Sequence, residues 1–206
     1  MVVRIAPARS RVTPLTLAAL ALATGVLAGV LAVLWVPATQ RMALNSYLGG
    51  FFRGMVGART PIRRSVVFAH TAADLEHVAV VVWLAGLWPW GPLAVLSALF
   101  LRGFALGFGL GFLGIEQGPE GVAFGLLTAV PSSLLSLPVL AWGGALSLQR
   151  SWALVRSWRD GRRPPPVRNG YAAAGMLIVV ALVPAALVAG YLVPSLVRWT
   201  APWFGL

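Results

Sequence analysis

Hydrophobic positions in this chain do not alternate with polar ones; they collect into five long runs, at about residues 14–36, 65–87, 93–113, 122–148 and 171–197. About 20 consecutive apolar residues in a helix cross the ~30 Å hydrocarbon layer of a bilayer, and each run has roughly that length. The pattern predicts an all-α fold: a polytopic integral membrane protein with about five transmembrane helices, forming one membrane domain over residues 1–206. The first run follows Arg4, Arg9 and Arg11 and opens at Pro14. Its apolar core is longer than the roughly 7–15 residues of a secretory signal. It is therefore read as a retained span, not as a leader ending at Val36-Pro37-Ala38.

Residues 40–59 follow a different pattern. Leu44, Tyr47, Leu48, Phe51, Phe52, Met55 and Val56 recur at helical spacing, while Arg41, Asn45, Ser46 and Arg53 fill the other positions. This reads as one extracytoplasmic amphipathic helix in the outer interface, or equally as a helix packed on its own bundle. Thr60-Pro61 ends it, because the residue before proline is pushed out of the helical region.

The breaks between runs carry their own signals. Trp88-Pro89-Trp90-Gly91-Pro92 is a tight turn with tryptophans at interface depth. Gly114 to Gly121 is a short polar turn holding Glu116 and Glu120, and residues 149–168 form a basic loop closing on three prolines. The fourth run is interrupted at Pro131 and Pro138, which predicts a kinked or two-piece helix.

Composition agrees with a membrane class, at 59% hydrophobic and 10% charged. All 16 basic residues are arginine and the formal net charge is +11. They flank the apolar runs and build no continuous basic face, so lipid headgroups and membrane orientation account for them and nucleic acid does not. Nine lie in the segments assigned to the cytoplasm, N-terminus included, and six (Arg41, Arg53, Arg59, Arg63, Arg64, Arg198) outside. With no cysteine, disulfides, zinc–thiolate sites and thiol catalysis are excluded.

Candidate chemistry is thin. His70, Asp74 and His77 share a helical face, a spacing that metal ligands use. With Glu76 they read better as the membrane-entry turn of the second span, its carboxylates favoured by the helix dipole and Thr71 and Asp74 making a capping-box-like start. Glu116 and Glu120 read as a solvated loop. No nucleophile–base–acid set, phosphate loop, dinucleotide fingerprint or zinc-protease motif occurs, so neither an enzyme nor a cofactor or metal site is expected.

The strongest motif lies in the third run. Gly103, Gly107 and Gly111 recur every four residues beside Phe104, Phe108 and Phe112. Small-xxx-small stripes let helix backbones approach closely in lipid, and an exposed stripe would suit a homo-oligomer. Arg102 stands at its head, roughly ten residues into an apolar run, where a charge is expensive unless protein or water surrounds it. Its partner is left open among Asp74, Glu116, a lipid phosphate and another protein.

The segment Phe100-Leu101-Arg102-Gly103-Phe104 through Gly111-Phe112-Leu113, followed by Gly121-Val122, Pro131 and Leu134-Leu135-Ser136-Leu137-Pro138, resembles the stage II sporulation protein M family. The resemblance implies a non-catalytic membrane scaffold in endospore engulfment, at the septal and mother-cell membrane. It would organise two peptidoglycan-cleaving partners, stage II sporulation proteins D and P. Arg102, Gly103, Gly107, Gly111, Pro131 and Pro138 are then the family motif, and Tyr47, Phe51 and Phe52 a partner surface. The alternative is a small transporter or permease-like subunit, since broken helices and an intramembrane arginine are also transporter features.

Overall fold

A computed structural model describes residues 13–44, 46, 64–161, 163 and 169–200. Among them there is no strand, and four helices are long and apolar enough to cross a membrane. Helix α1 (Pro14–Ala32) is started by Thr13, whose hydroxyl accepts from the Thr16 amide at 3.3 Å, with Pro14 where its missing N–H costs nothing. A 3-10 turn, Val33–Trp35, ends it. Arg41, in a short helical stretch over residues 38–44, reaches back and donates to the Val33 and Val36 carbonyls at 2.9 and 3.0 Å. The Val33 carbonyl also accepts from the Val36 amide at 3.2 Å, so Arg41 adds a second donor there and supplies one to the Val36 carbonyl at the helix C-terminus.

Helix α2 (Arg64–Ala85) leads into α3 (Gly91–Arg159), and α4 (Asn169–Leu187) continues through a π turn, Val188–Leu192, into α5 (Val193–Thr200). Helix α3 is a hairpin. At Gly118 the backbone takes φ 65 and ψ −151, a region essentially limited to glycine, and Pro119 opens the returning arm, where no N–H is needed. Leu110 and Leu113 of the first arm (α3a, residues 91–117) meet Gly125 of the second (α3b, residues 119–159), and Leu99 meets Gly144. The third and fourth apolar runs are these two arms. The polar turn expected over 114–121 shrinks to one residue, because glycine alone can reverse the chain there while helix continues on both sides.

Two further boundaries differ from expectation. Arm α3b runs on to Arg159, so the first half of the 149–168 basic segment is helix and not loop. It also stays helical through Pro131 and Pro138, Gly118 being the one non-helical residue of Gly91–Arg159, so α3b is not in two pieces. Thr128 donates to the Phe124 and Gly125 carbonyls and Ser132 to that of Ala129. Packing holds the arm at both ends, Gly125 under Leu110 and Leu113 and Gly143 under Ile178. Between these contacts an apolar groove of about 490 Å³ opens toward α1, with Pro138 in its wall. The expected helix over residues 40–59 falls mostly outside the described residues, as do Tyr47, Phe51 and Phe52.

The closest packing joins α1 to α3a. A methyl on Gly103 would stand 2.2 Å from the Leu22 carbonyl oxygen, and one on Gly107 2.0 Å from that of Val26. Reciprocally, methyls on Gly25 and Gly29 of α1 would each stand 2.2 Å from the carbonyl oxygens of Phe100 and Phe104. Gly111 continues the series more loosely, 3.1 Å from Val30 Cα. The pairs advance together, so the two helices run parallel with backbones in contact. Phe100, Phe104, Phe108 and Phe112 stack along the flank at 6.3, 6.0 and 6.4 Å between ring centroids. The remaining core is built from Leu75 and Val82 of α2, Leu140 and Leu148 of α3b, and Leu182 of α4.

The glycine stripe is thus filled by α1 of the same chain and leaves no free surface for a second copy. A side chain there must separate two backbones. Gly107→Leu is expected to cost about 3 kcal/mol or more of stability in detergent. Gly109→Ala, two residues away with nothing within 4 Å, should not destabilise it and should gain up to about 1 kcal/mol from helix propensity. Thermal unfolding of the purified protein in micelles measures both.

Candidate functional site

One residue before Gly103, α3a turns a charge toward α2. Arg102 Nη1 donates to Asp74 Oδ2 at 2.5 Å. Asp74 stands at the middle of Arg64–Ala85 and Arg102 near the middle of α3a, so the pair sits at the mid-level of the apolar bundle. The Arg102 side chain is 20% exposed and that of Asp74 58%. Of the partners open for Arg102, the carboxylate of Asp74 is the one it meets. Attraction is strong where water is scarce, and each charge supplies what the other needs to lie at this depth.

This placement corrects the reading of residues 70–77. They are not the entry turn of a helix: α2 begins at Arg64, so Thr71 and Asp74 cap nothing and the helix dipole does not act on them. The polar stretch only interrupts an apolar pattern that already includes Val66, Val67 and Phe68, and the backbone is helical from Arg64. His70, Ala73, Asp74 and His77 lie along one exposed face. His77 Nδ1 donates to the Ala73 carbonyl at 2.5 Å, which turns Nε2 outward. Among the described residues no three ligating side chains group to hold a metal ion, and Asp74 Oδ2 is taken by Arg102. Glu116 and Glu120 stand on opposite sides of the Gly118 reversal and share no helical face.

A second polar cluster closes the other end of α2. The Tyr171 hydroxyl donates to the Trp83 carbonyl at 2.6 Å and accepts from Ser147 at 3.1 Å. The Trp83 indole returns a bond to the Tyr171 carbonyl at 3.2 Å, and the two rings stack at 5.9 Å. Arg150 lies over the Tyr171 ring at 5.0 Å, and Ser151 donates to the Trp88 carbonyl at 2.6 Å, tying down the α2–α3 turn. Gly86 is required beneath it, since a methyl there would meet the Tyr171 oxygen at 2.0 Å. Sequence reasoning missed this cluster. Its one local sign is Ser147 and Ser151 four residues apart; the other members come from distant segments.

The motif residues therefore divide by role. Gly103 and Gly107 bring helices together, Arg102 pairs across to α2, Pro138 lines the groove and Pro131 lies half-buried within α3b. The family model for stage II sporulation protein M matches residues 18–194, from the first turns of α1 into α5. The chain belongs to that family. The match takes in the α1–α3a contact, the ion pair and the aromatic cluster together. No curated protein and no solved structure matches this SpoIIM-family chain.

Two tests follow from the polar contacts. Leaving one member of an intramembrane ion pair uncompensated is worse than removing both. Asp74→Leu and Arg102→Leu should each destabilise the protein, and the double variant should recover about 1 kcal/mol or more relative to their sum, read by a double-mutant cycle of unfolding in micelles. Tyr171→Phe should cost about 1–2 kcal/mol in the same assay, through loss of its bonds to Trp83 and Ser147.

Proposed function

We propose that this protein is a non-catalytic, multi-pass scaffold of the sporulation membrane that organises peptidoglycan-degrading partners, of the stage II sporulation D and P type, during engulfment. The family match across residues 18–194 carries the reading. In the proposed topology α1, α3a and α4 cross outward and α2 and α3b inward, with the N-terminus cytoplasmic. Parallel packing of α1 with α3a, reversal at Gly118 and the arginine balance support it. The C-terminus and the Tyr47, Phe51 and Phe52 segment then lie outside, on the side where peptidoglycan is cut. Arg102, which taken alone suits a transport pathway, is bonded to Asp74, and the groove beside α1 has an almost wholly apolar lining. Both fit a packed anchor better than a polar path.

Co-purification through an N-terminal tag, from cells collected during sporulation, tests the proposal. Recovery of peptidoglycan hydrolases is the expected result. Recovery of an ATPase, or of no extracytoplasmic enzyme, would overturn it.

A further inference from the structure

The outer face of α2 is unusual for a helix at this level of an apolar bundle. Val66, Val80, Val81 and Leu84 are 47%, 43%, 51% and 48% exposed, as expected toward lipid. Between them lie His70, Ala73 and His77, also exposed, with Asp74 at their edge. Polar side chains at lipid depth are costly and normally face protein or water. Among the described residues Asp74 Oδ2 is bonded to Arg102 while Oδ1 has no partner, and no hydrogen bond or ion pair is made by His70.

We propose that two copies of this chain meet along this face, α2 against α2 around a two-fold axis along the membrane normal. The geometry of the face argues for a second copy over an unrelated helix. In a parallel symmetric pair, residue i meets i and also i±3 and i±4 of its mate, and each contact occurs twice. Ala73 is the small residue at the centre, where close approach is needed. His70 then lies one turn from Asp74 of the second copy. A neutral imidazole offers one N–H donor and Oδ1 offers an open acceptor, so the face supplies both halves of its own bond. Asp74 stands off the axis, which keeps the two carboxylates apart, and each retains its own Arg102. The glycine stripe plays no part, being buried against α1.

The chain contains no cysteine, so single cysteines report without background. In native membranes under a mild oxidant, Ala73→Cys is expected to give a disulfide-linked dimer, since a bridge needs Cα atoms within about 7 Å. Met176→Cys, 75% exposed on α4, should remain monomeric. His70→Leu leaves the Arg102–Asp74 pair intact, so the fold is kept. On the Ala73→Cys background it should weaken association roughly eightfold, the size expected of two symmetry-related interhelical hydrogen bonds. Cross-linking of Ala73→Cys no stronger than that of Met176→Cys would overturn the proposal, as would an adduct with a different protein at that position. An unchanged dimer in the His70→Leu variant would remove the imidazole–carboxylate contact on which the pairing rests. Hydrolase co-purification is a separate readout, so failure here leaves the scaffold reading standing, and the reverse also holds.

Discussion

Backbone contact between α1 and α3a is the constraint from which the rest of the arrangement follows. Lipid tails are as apolar as leucine, so two helices gain nothing by hiding apolar surface from them; they associate through close packing. Gly25 and Gly29 on one side and Gly103 and Gly107 on the other remove every side chain that would hold the axes apart. Once α3a is seated in that way its other faces are determined. The phenylalanine row falls to one flank, Leu99 points to α3b, and Arg102 is turned toward α2. The charge lies beside the stripe because the same helix must present small residues to one neighbour and a guanidinium to the next.

Arg102 and Asp74 then form a contact of a different kind. Glycine packing is short-range and tolerant of lipid on its outer side, whereas a charge at mid-bundle needs a counter-charge wherever the helices place it. The pair is asymmetric: the guanidinium is largely covered and the carboxylate more than half exposed. Burial of Arg102 makes it depend on Asp74, and exposure of Asp74 leaves an acceptor facing outward. At the other end of α2 the Tyr171 cluster joins α2, α3b and α4 through neutral hydrogen bonds, closing the bundle where the α2–α3 turn leaves it.

What was legible in the sequence depended on range. Run lengths suffice to place the five apolar segments, because crossing length is a property of one helix at a time. The glycine spacing points to a packing surface, and the segment lying against it is the less conspicuous Gly25 and Gly29, four residues apart in α1; one stripe does not name another. Boundaries failed where hydropathy and backbone disagree. Residues 70–77 are polar yet lie mid-helix, and 149–159 are basic yet helical, since a helix needs only hydrogen bonds and no breaker to continue. Pro131 and Pro138 suggest a kinked or two-piece helix, and α3b is one piece through both, while the actual reversal rests on Gly118, ordinary in a glycine-rich chain until its φ is seen. The Tyr171 cluster could not be read at all, because Trp83 and Tyr171 stand 88 residues apart.

These distinctions bear on where partners can attach. A surface already in backbone contact within the chain is unavailable to others, which removes the most conspicuous motif from the set of recognition sites. A purely apolar outer face offers another helix little advantage over lipid. Polar groups on an outer face can add specificity to close packing, and the outer face of α2 carries His70, whose ring makes no bond within the described bundle. Helix α2 is held from within by Asp74 and Arg102 at its middle and by the Tyr171 cluster at its end. Its outer face is consequently held by contacts at its middle and at its end, and the proposed scaffold role would use that to keep what it gathers in a defined relation to the membrane.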